Sequence, residues 1–160
     1  MKLGIMSDSH DHVPMIEKAC RVFNDERVDL VIHAGDYVAP FALSPLKQIL
    51  KCDYVGVFGN NDGERVGLQQ VADGRLRPSP TELELEGWKV LVAHEMPILE
   101  ALIAGGWYDL IVYGHNHQPE IRRVGSTLAV NPGECGGWLR GRRTVAVATM
   151  DPLEARIIEL

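Results

Sequence analysis

Leu110-Ile111-Val112-Tyr113-Gly114-His115-Asn116-His117 is the stretch around which the rest of the chain organises. Four apolar or aromatic residues in succession read as a strand buried on both faces, and Gly114 ends it. His115 and His117 follow at its exit. In an extended segment such a pair leans to one side, roughly 6–7 Å apart along the backbone. Two imidazoles so placed suit two neighbouring metal ions better than one. A polar loop that merely contains two histidines is the competing reading, and the other strand ends decide between them.

Upstream, residues 2–7 predict a first buried strand, and Asp8, Ser9, His10, Asp11 and His12 crowd at its C-terminal end. Pro14 suits the first turn of a helix, continued by Met15, Ala19, Val22 and Phe23 at helical spacing. A second strand over 29–34 closes at Gly35-Asp36, and a helix covers 42–50 with Pro45 in its first turn. A third strand over 54–58 runs into Gly59-Asn60-Asn61-Asp62-Gly63. Strands that alternate with polar turns and helical patterns mark α/β units on a parallel sheet. Such sheets bind ligands beyond the carboxyl ends of their strands. Asp8, His10, Asp36 and Asn60 all fall at that edge.

From residue 80 the rhythm changes to period two. Residues 81–85 alternate, Glu86-Gly87 turns, and 88–93 climb back to His94, predicting a hairpin with one wet face. A helix over 97–104 ends at Gly105-Gly106. A second hairpin spans 120–124 and 127–130, Asn131-Pro132-Gly133 makes a turn, and 144–149 and 155–160 close the chain as strands. The prediction is one domain over residues 1–160, of α/β class, with two sheets packed face to face and helices outside.

The charge balance narrows the function. The net charge is −6 and no basic run exceeds Arg142-Arg143. That argues against stable nucleic-acid binding through phosphate contacts, though not against a small phosphorylated substrate. Three cysteines without Cys-x-x-Cys spacing disfavour a disulfide framework, and no stretch approaches the ~20 apolar residues of a membrane span. A soluble, cytoplasmic protein with no membrane association is expected. A homo-oligomer is compatible with all of this.

Five strand ends thus carry metal-competent side chains: Asp8 with His10, Asp36, Asn60, His94, and His115 with His117. None is a thiolate, which disfavours a structural zinc knuckle. Mixed oxygen and imidazole donors suit Mn, Fe, Ni, Co or Zn. Seven donors are too many for one tetrahedral ion and suit two ions about 3.5–4 Å apart sharing a carboxylate.

In order and approximate spacing, Asp8-x-His10, Gly35-Asp36, Gly59-Asn60-x-Asp62, His94 and Gly114-His115-x-His117 resemble the motifs of the calcineurin-like metallophosphoesterases. The short length and the Asn131-Pro132-Gly133 turn are similar to the superfamily's small bacterial and archaeal phosphodiesterases. The resemblance implies a four-layer sandwich of two mixed β-sheets flanked by helices. It implies one ion held by Asp8, His10, Asp36 and His117, and a second by Asp36, Asn60, His94 and His115, with Asp36 bridging. The cofactors implied are two divalent transition-metal ions, Mn²⁺ ahead of Ni²⁺, Fe²⁺, Co²⁺ or Zn²⁺. The activity implied is hydrolysis of a phosphate ester, a diester before a monoester, by in-line attack of a hydroxide bridging the two ions. Two divalent ions against Asp8, Asp36 and that hydroxide leave the centre near about +1, which attracts a phosphate despite the acidic protein.

Two positions depart from the family pattern. Relatives commonly carry histidine where Asn61 stands, and that histidine assists the leaving group. An amide donates a hydrogen bond but passes no proton, and losing a general acid costs about 10²–10⁴-fold. Substrates with good leaving groups, such as aryl phosphodiesters, are therefore expected. Asp62 is read with Asn61 as catalytic, orienting Asn61 or His10, against a turn-forming alternative. The second departure is Glu95-Met96-Pro97, which alters the pocket wall rather than the ligand His94. His33 reads as a hydrogen-bonded core residue, His12 as an exposed helix entry and Asp11 as a helix cap. The three tryptophans read as packing residues. A non-catalytic interaction scaffold of the same fold, like the retromer subunit, is the rival function, kept open by Asn61.

Overall fold

The computed structural model describes residues 1–160. β1 (Lys2–Met6), β2 (Leu30–His33) and β3 (Asp53–Val57) are parallel neighbours, and the two-residue β4 (Leu76–Arg77) continues that direction. On the other side of β1, β10 (Thr144–Met150) pairs antiparallel, followed by β11 (Leu153–Glu159). The resulting six-stranded sheet has the order β11-β10-β1-β2-β3-β4. A five-stranded sheet contains β5 (Thr81–Leu85), β6 (Trp88–Val92), β7 (Leu110–Val112), β9 (Thr127–Pro132) and β8 (Pro119–Val124), in that order. Both sheets are mixed, as expected.

Period-two burial explains the layering. Leu3 and Ile5 of β1, Ala146 and Ala148 of β10, and Leu110 and Val112 of β7 share the core between the sheets. The alternate residues Met6, Val145 and Val147 face the other way, under the helices α1 (Val13–Asp25), α2 (Ser44–Gln48) and α3 (Arg65–Ala72). Ile111 and Tyr113 pack under α4 (Leu99–Gly105). The sequence therefore forms helices, sheet, sheet, helix. Each buried Leu, Ile or Val contributes roughly 1.5–3 kcal/mol through the apolar surface it withdraws from water.

α1 buries Ile16, Ala19, Cys20 and Phe23, an i, i+3, i+4, i+7 stripe behind Pro14. Several local expectations are corrected. The helix predicted over 42–50 is a 3₁₀ turn at Pro40–Leu43 followed by the short α2, ending at Gln48. Asp11 caps no helix: His12 occupies that position, and Asp11 Oδ1 instead accepts from Ala39 N–H at 2.9 Å. Asn131 and Pro132 lie inside β9, so the turn begins at Gly133. Trp107 and Trp138 are exposed rather than packed. α3 and β4 are not predicted by the sequence pattern.

Candidate metal centre

The carboxyl ends of β1, β2 and β3 face the loops after β6 and β7, and backbone hydrogen bonds lace these loops together. Asp8 N–H donates to Gly35 O and His10 N–H to Asp36 O, both at 3.0 Å. Gly114 N–H donates to His94 O at 3.0 Å, and His115 N–H reaches Asp8 Oδ2 at 3.1 Å. Two glycines make this approach feasible. A Cβ on Gly59 would overlap Asp36 Oδ1, and one on Gly114 would stand 2.7 Å from Asp8 Oδ2. Asp8, His10, Asp36, His115 and His117 all adopt positive φ, between 42° and 72°. Non-glycine residues seldom do so, and the lacing over-determines each of these turns.

The seven predicted donors come together. Asp8 Oδ1 lies 3.3 Å from His117 Nε2 and 3.8 Å from His10 Nε2. Asp36 Oδ2 lies 3.6 Å from His10 Nε2 and 3.3 Å from His94 Nε2, so it stands between the two halves. Asn60 Oδ1 is 2.8 Å from His94 Nε2 and 3.0 Å from His115 Nδ1. Asp8, His10 and His117 form one convergent group and Asp8, Asp36 and His94 another, each with its donor atoms within 4.8 Å. Cations fit this set. Asp8 Oδ1 and His10 Nε2 are buried without any hydrogen-bond partner, a costly condition that a bound cation relieves.

The electrostatics agree. Burial pushes the Asp8 carboxyl above its usual range, opposed only in part by contacts that include His94, His117 and the His115 amide. Burial works the same way on Asp36, but hydrogen bonds from His94 and Asn61 overcome it and hold Asp36 well below that range. At His94, burial disfavours charge, yet Asp36 and Asp8 outweigh it and raise the pKa. The carboxylates thus favour positive charge at this point of the site.

Local partners fix the imidazoles. His94 Nδ1–H donates to Ala34 O at 2.8 Å, because a carbonyl can only accept, and this turns Nε2 towards Asp36. His117 Nδ1–H donates to Glu134 Oε2 at 2.8 Å and turns Nε2 towards Asp8. Glu134 was not singled out from sequence. It is fully buried, and it also accepts from the N–H groups of Leu139 (3.0 Å) and Arg140. Burial opposes its ionisation, but His117 and these amides bring its pKa below the ordinary carboxylate range. Asn131 clamps the His-x-His loop through Nδ2, bonded to Gly114 O at 3.1 Å and Asn116 Oδ1 at 2.9 Å. Asn131 belongs to the Asn131-Pro132-Gly133 segment that the resemblance marks, whereas the only sequence signal for Glu134 is its place next to that segment.

Two expectations change in detail. His115 and His117 do not lean to one side. Their left-handed backbone aims His117 at Asp8 and His115 at Asn60. Asp62 is corrected to a positioning residue: it is buried, and it orients neither Asn61 nor His10. Its Oδ2 accepts from Gly59 N–H (2.7 Å) and Asp36 N–H (3.1 Å), and its Oδ1 from Val38 N–H (2.8 Å). Asn61 does border the centre, donating from Nδ2 to Asp36 Oδ2 at 2.7 Å. His33 is the hydrogen-bonded core residue expected, held by Ser9 Oγ and Gly35 N–H, with burial driving its pKa down to about 3.

Comparison with known proteins agrees with this geometry. A family model described as the calcineurin-like phosphoesterase superfamily domain matches residues 1–152. The chain is 38% identical to a phosphodiesterase of Methanocaldococcus jannaschii, covering 100% of this chain and 99% of the relative. A solved structure described as a novel archaeal phosphodiesterase superposes with a TM-score of 0.92 at 38% identity, covering 100% of both chains. Vacuolar Protein Sorting 29 from Cryptosporidium parvum shares the fold, with a TM-score of 0.70 at 15% identity over 99% of this chain and 97% of that one.

Proposed function

The chain belongs to the calcineurin-like phosphoesterase superfamily, hydrolases of phosphoric ester bonds, and from this premise we propose that it is a binuclear metal-dependent phosphodiesterase of the cytoplasm. Asp8, His10, Asp36 and His117 hold one divalent ion, Mn²⁺ first among the candidates, and Asp36, Asn60, His94 and His115 hold the second. The observation that carries the reading is the pair of buried, partnerless atoms Asp8 Oδ1 and His10 Nε2, facing a shared Asp36 carboxylate. When bound, such ions lower the pKa of water towards ~7 and neutralise phosphoryl oxygens.

The chain's own residues supply placement. Glu134 and the Ala34 carbonyl hold the two Nε2 lone pairs inward, and Asp62 holds the Asp36 backbone. Asn61 offers a hydrogen-bond donor and no transferable proton. Small esters whose leaving group needs no acid, such as aryl phosphodiesters, are therefore the substrates of this site. Full-length identity of 38% to a phosphodiesterase, against 15% to the sorting protein, favours the enzyme over a scaffold.

The test is a titration of chelator-treated protein with Mn²⁺, Ni²⁺, Fe²⁺, Co²⁺ or Zn²⁺ in turn against bis(4-nitrophenyl) phosphate and the matching monoester. Hydrolysis should rise from none with added metal and favour the diester. No turnover with any of the five metals would transfer the chain to the scaffold reading.

A further inference from the structure

Beside the metal centre lies a second depression of different chemistry. The cleft in front of His94 and Asn60, about 370 Å³, is bounded by Phe58, Arg65, Pro80 and Pro97. Next to it, along the outer face of β6, is a cavity of about 560 Å³. Leu91 from β6 and Leu102 from α4 line it, together with Ala93, Met96 and Ile98 from the segment between them. Pro80, Glu95 and Pro97 border both spaces, so the two meet along these three residues. The loop that departs from the family pattern after His94 is thus the wall that joins them.

The ends of this combined groove differ in polarity. At the metal end stands Arg65, its guanidinium hydrogen-bonded to Asp62 O and Gly59 O and lying 5.3 Å from the Phe58 ring centroid. At the far end the lining is mainly apolar and open to water, and Ile98 is 60% exposed. An open apolar recess beside a polar centre is where a ligand's apolar portion gains most from leaving water. Glu82 and Glu95 at its edge repel an anionic occupant. Leu91 precedes His94 by three residues, which sets the reach at roughly 10 Å for extended backbone.

We infer that this cavity seats an apolar ester substituent of the substrate, so that the site prefers phosphate esters carrying an uncharged alkyl or aryl arm. The inference rests on the phosphodiesterase reading and adds to it the class of group attached to the phosphate.

The experiment uses metal-loaded protein hydrolysing bis(4-nitrophenyl) phosphate, inhibited by methyl phosphate or hexyl phosphate, which differ only in the apolar arm. Hexyl phosphate should inhibit at least about 10-fold more tightly, the gain expected from burying a few methylenes. Ile98→Asp, at a position already facing water, should remove most of that advantage and leave inhibition by methyl phosphate unchanged. In methyl-labelled protein, hexyl phosphate should shift the Met96, Ile98 and Leu102 signals, and methyl phosphate should not. Equal inhibition by the two esters, or an Ile98→Asp protein that keeps the difference, overturns the cavity's role. Protein that hydrolyses no ester with any metal refutes the underlying function instead. The methyl shifts then still report whether the cavity takes an alkyl arm.

Discussion

Replacing Glu134 with glutamine asks how far the centre depends on a carboxylate outside the ligand set. Its two oxygens accept from three donors: His117 Nδ1–H and Leu139 N–H at Oε2, and Arg140 N–H at Oε1. Glutamine has one accepting oxygen. With that oxygen towards His117, its NH₂ group abuts the Arg140 amide. Reversed, the NH₂ faces His117 Nδ1 and forces the tautomer whose Nε2 carries the proton and cannot ligate. Either orientation strands a buried donor, at a cost of about 1–3 kcal/mol. Loss of such an outer partner lowers metal affinity about 10–100-fold, or about 1.4–2.7 kcal/mol. Calorimetric titration with Mn²⁺, beside melting curves of chelated and metal-saturated protein, reads both effects. The Glu134→Gln protein should bind more weakly and gain less in Tm from metal than the parent does. An unchanged Kd, with only the chelated Tm reduced, would refute the argument and leave Glu134 as a brace for the 134–140 turn.

Gly59→Ala should push the Asp36 carboxylate aside and weaken metal binding by at least about 10-fold, measured by the metal dependence of hydrolysis. Asn61→His should raise turnover of alkyl esters relative to aryl esters, by up to about 10²-fold if the imidazole acts as a general acid; an unchanged ratio counts against that role. Away from the site, Glu26 bonds Lys2 at 2.6 Å and pairs with Arg156 at 2.6 Å, and these partners depress its pKa. A depressed carboxylate pKa contributes stability above the unfolded value, lost as pH falls through the folded one. Glu26→Gln should therefore lower stability at pH 7 by under about 1 kcal/mol, and denaturant melts should show the difference from the parent shrinking as pH falls through the acid range.

The two-sheet architecture was legible because inter-sheet and helix-facing residues alternate cleanly along β1, β7 and β10. The donor set was legible because each donor follows a strand and, His94 excepted, stands beside a glycine or a second donor. Glu134 was not, because it acts on His117 through a fold-back that follows β9, and nothing in its neighbours' types announces that reach. Asp62 misled for a related reason. A carboxylate two residues after a ligand reads as an orienter of side chains, whereas the turn directs it onto backbone amides. α3 opens on Glu64 without a side-chain cap, and β4 is two residues long, so neither leaves a pattern long enough to read.

The left-handed turns at Asp8, His10, Asp36, His115 and His117 have a consequence for descent. Holding such residues there costs roughly 1–2 kcal/mol apiece relative to glycine, a tension that catalysis rather than folding maintains. A lineage that gave up its ions could release it by mutation to glycine or asparagine and grow sturdier while going inert. For such a fold, drift from enzyme towards a purely structural cousin would run downhill.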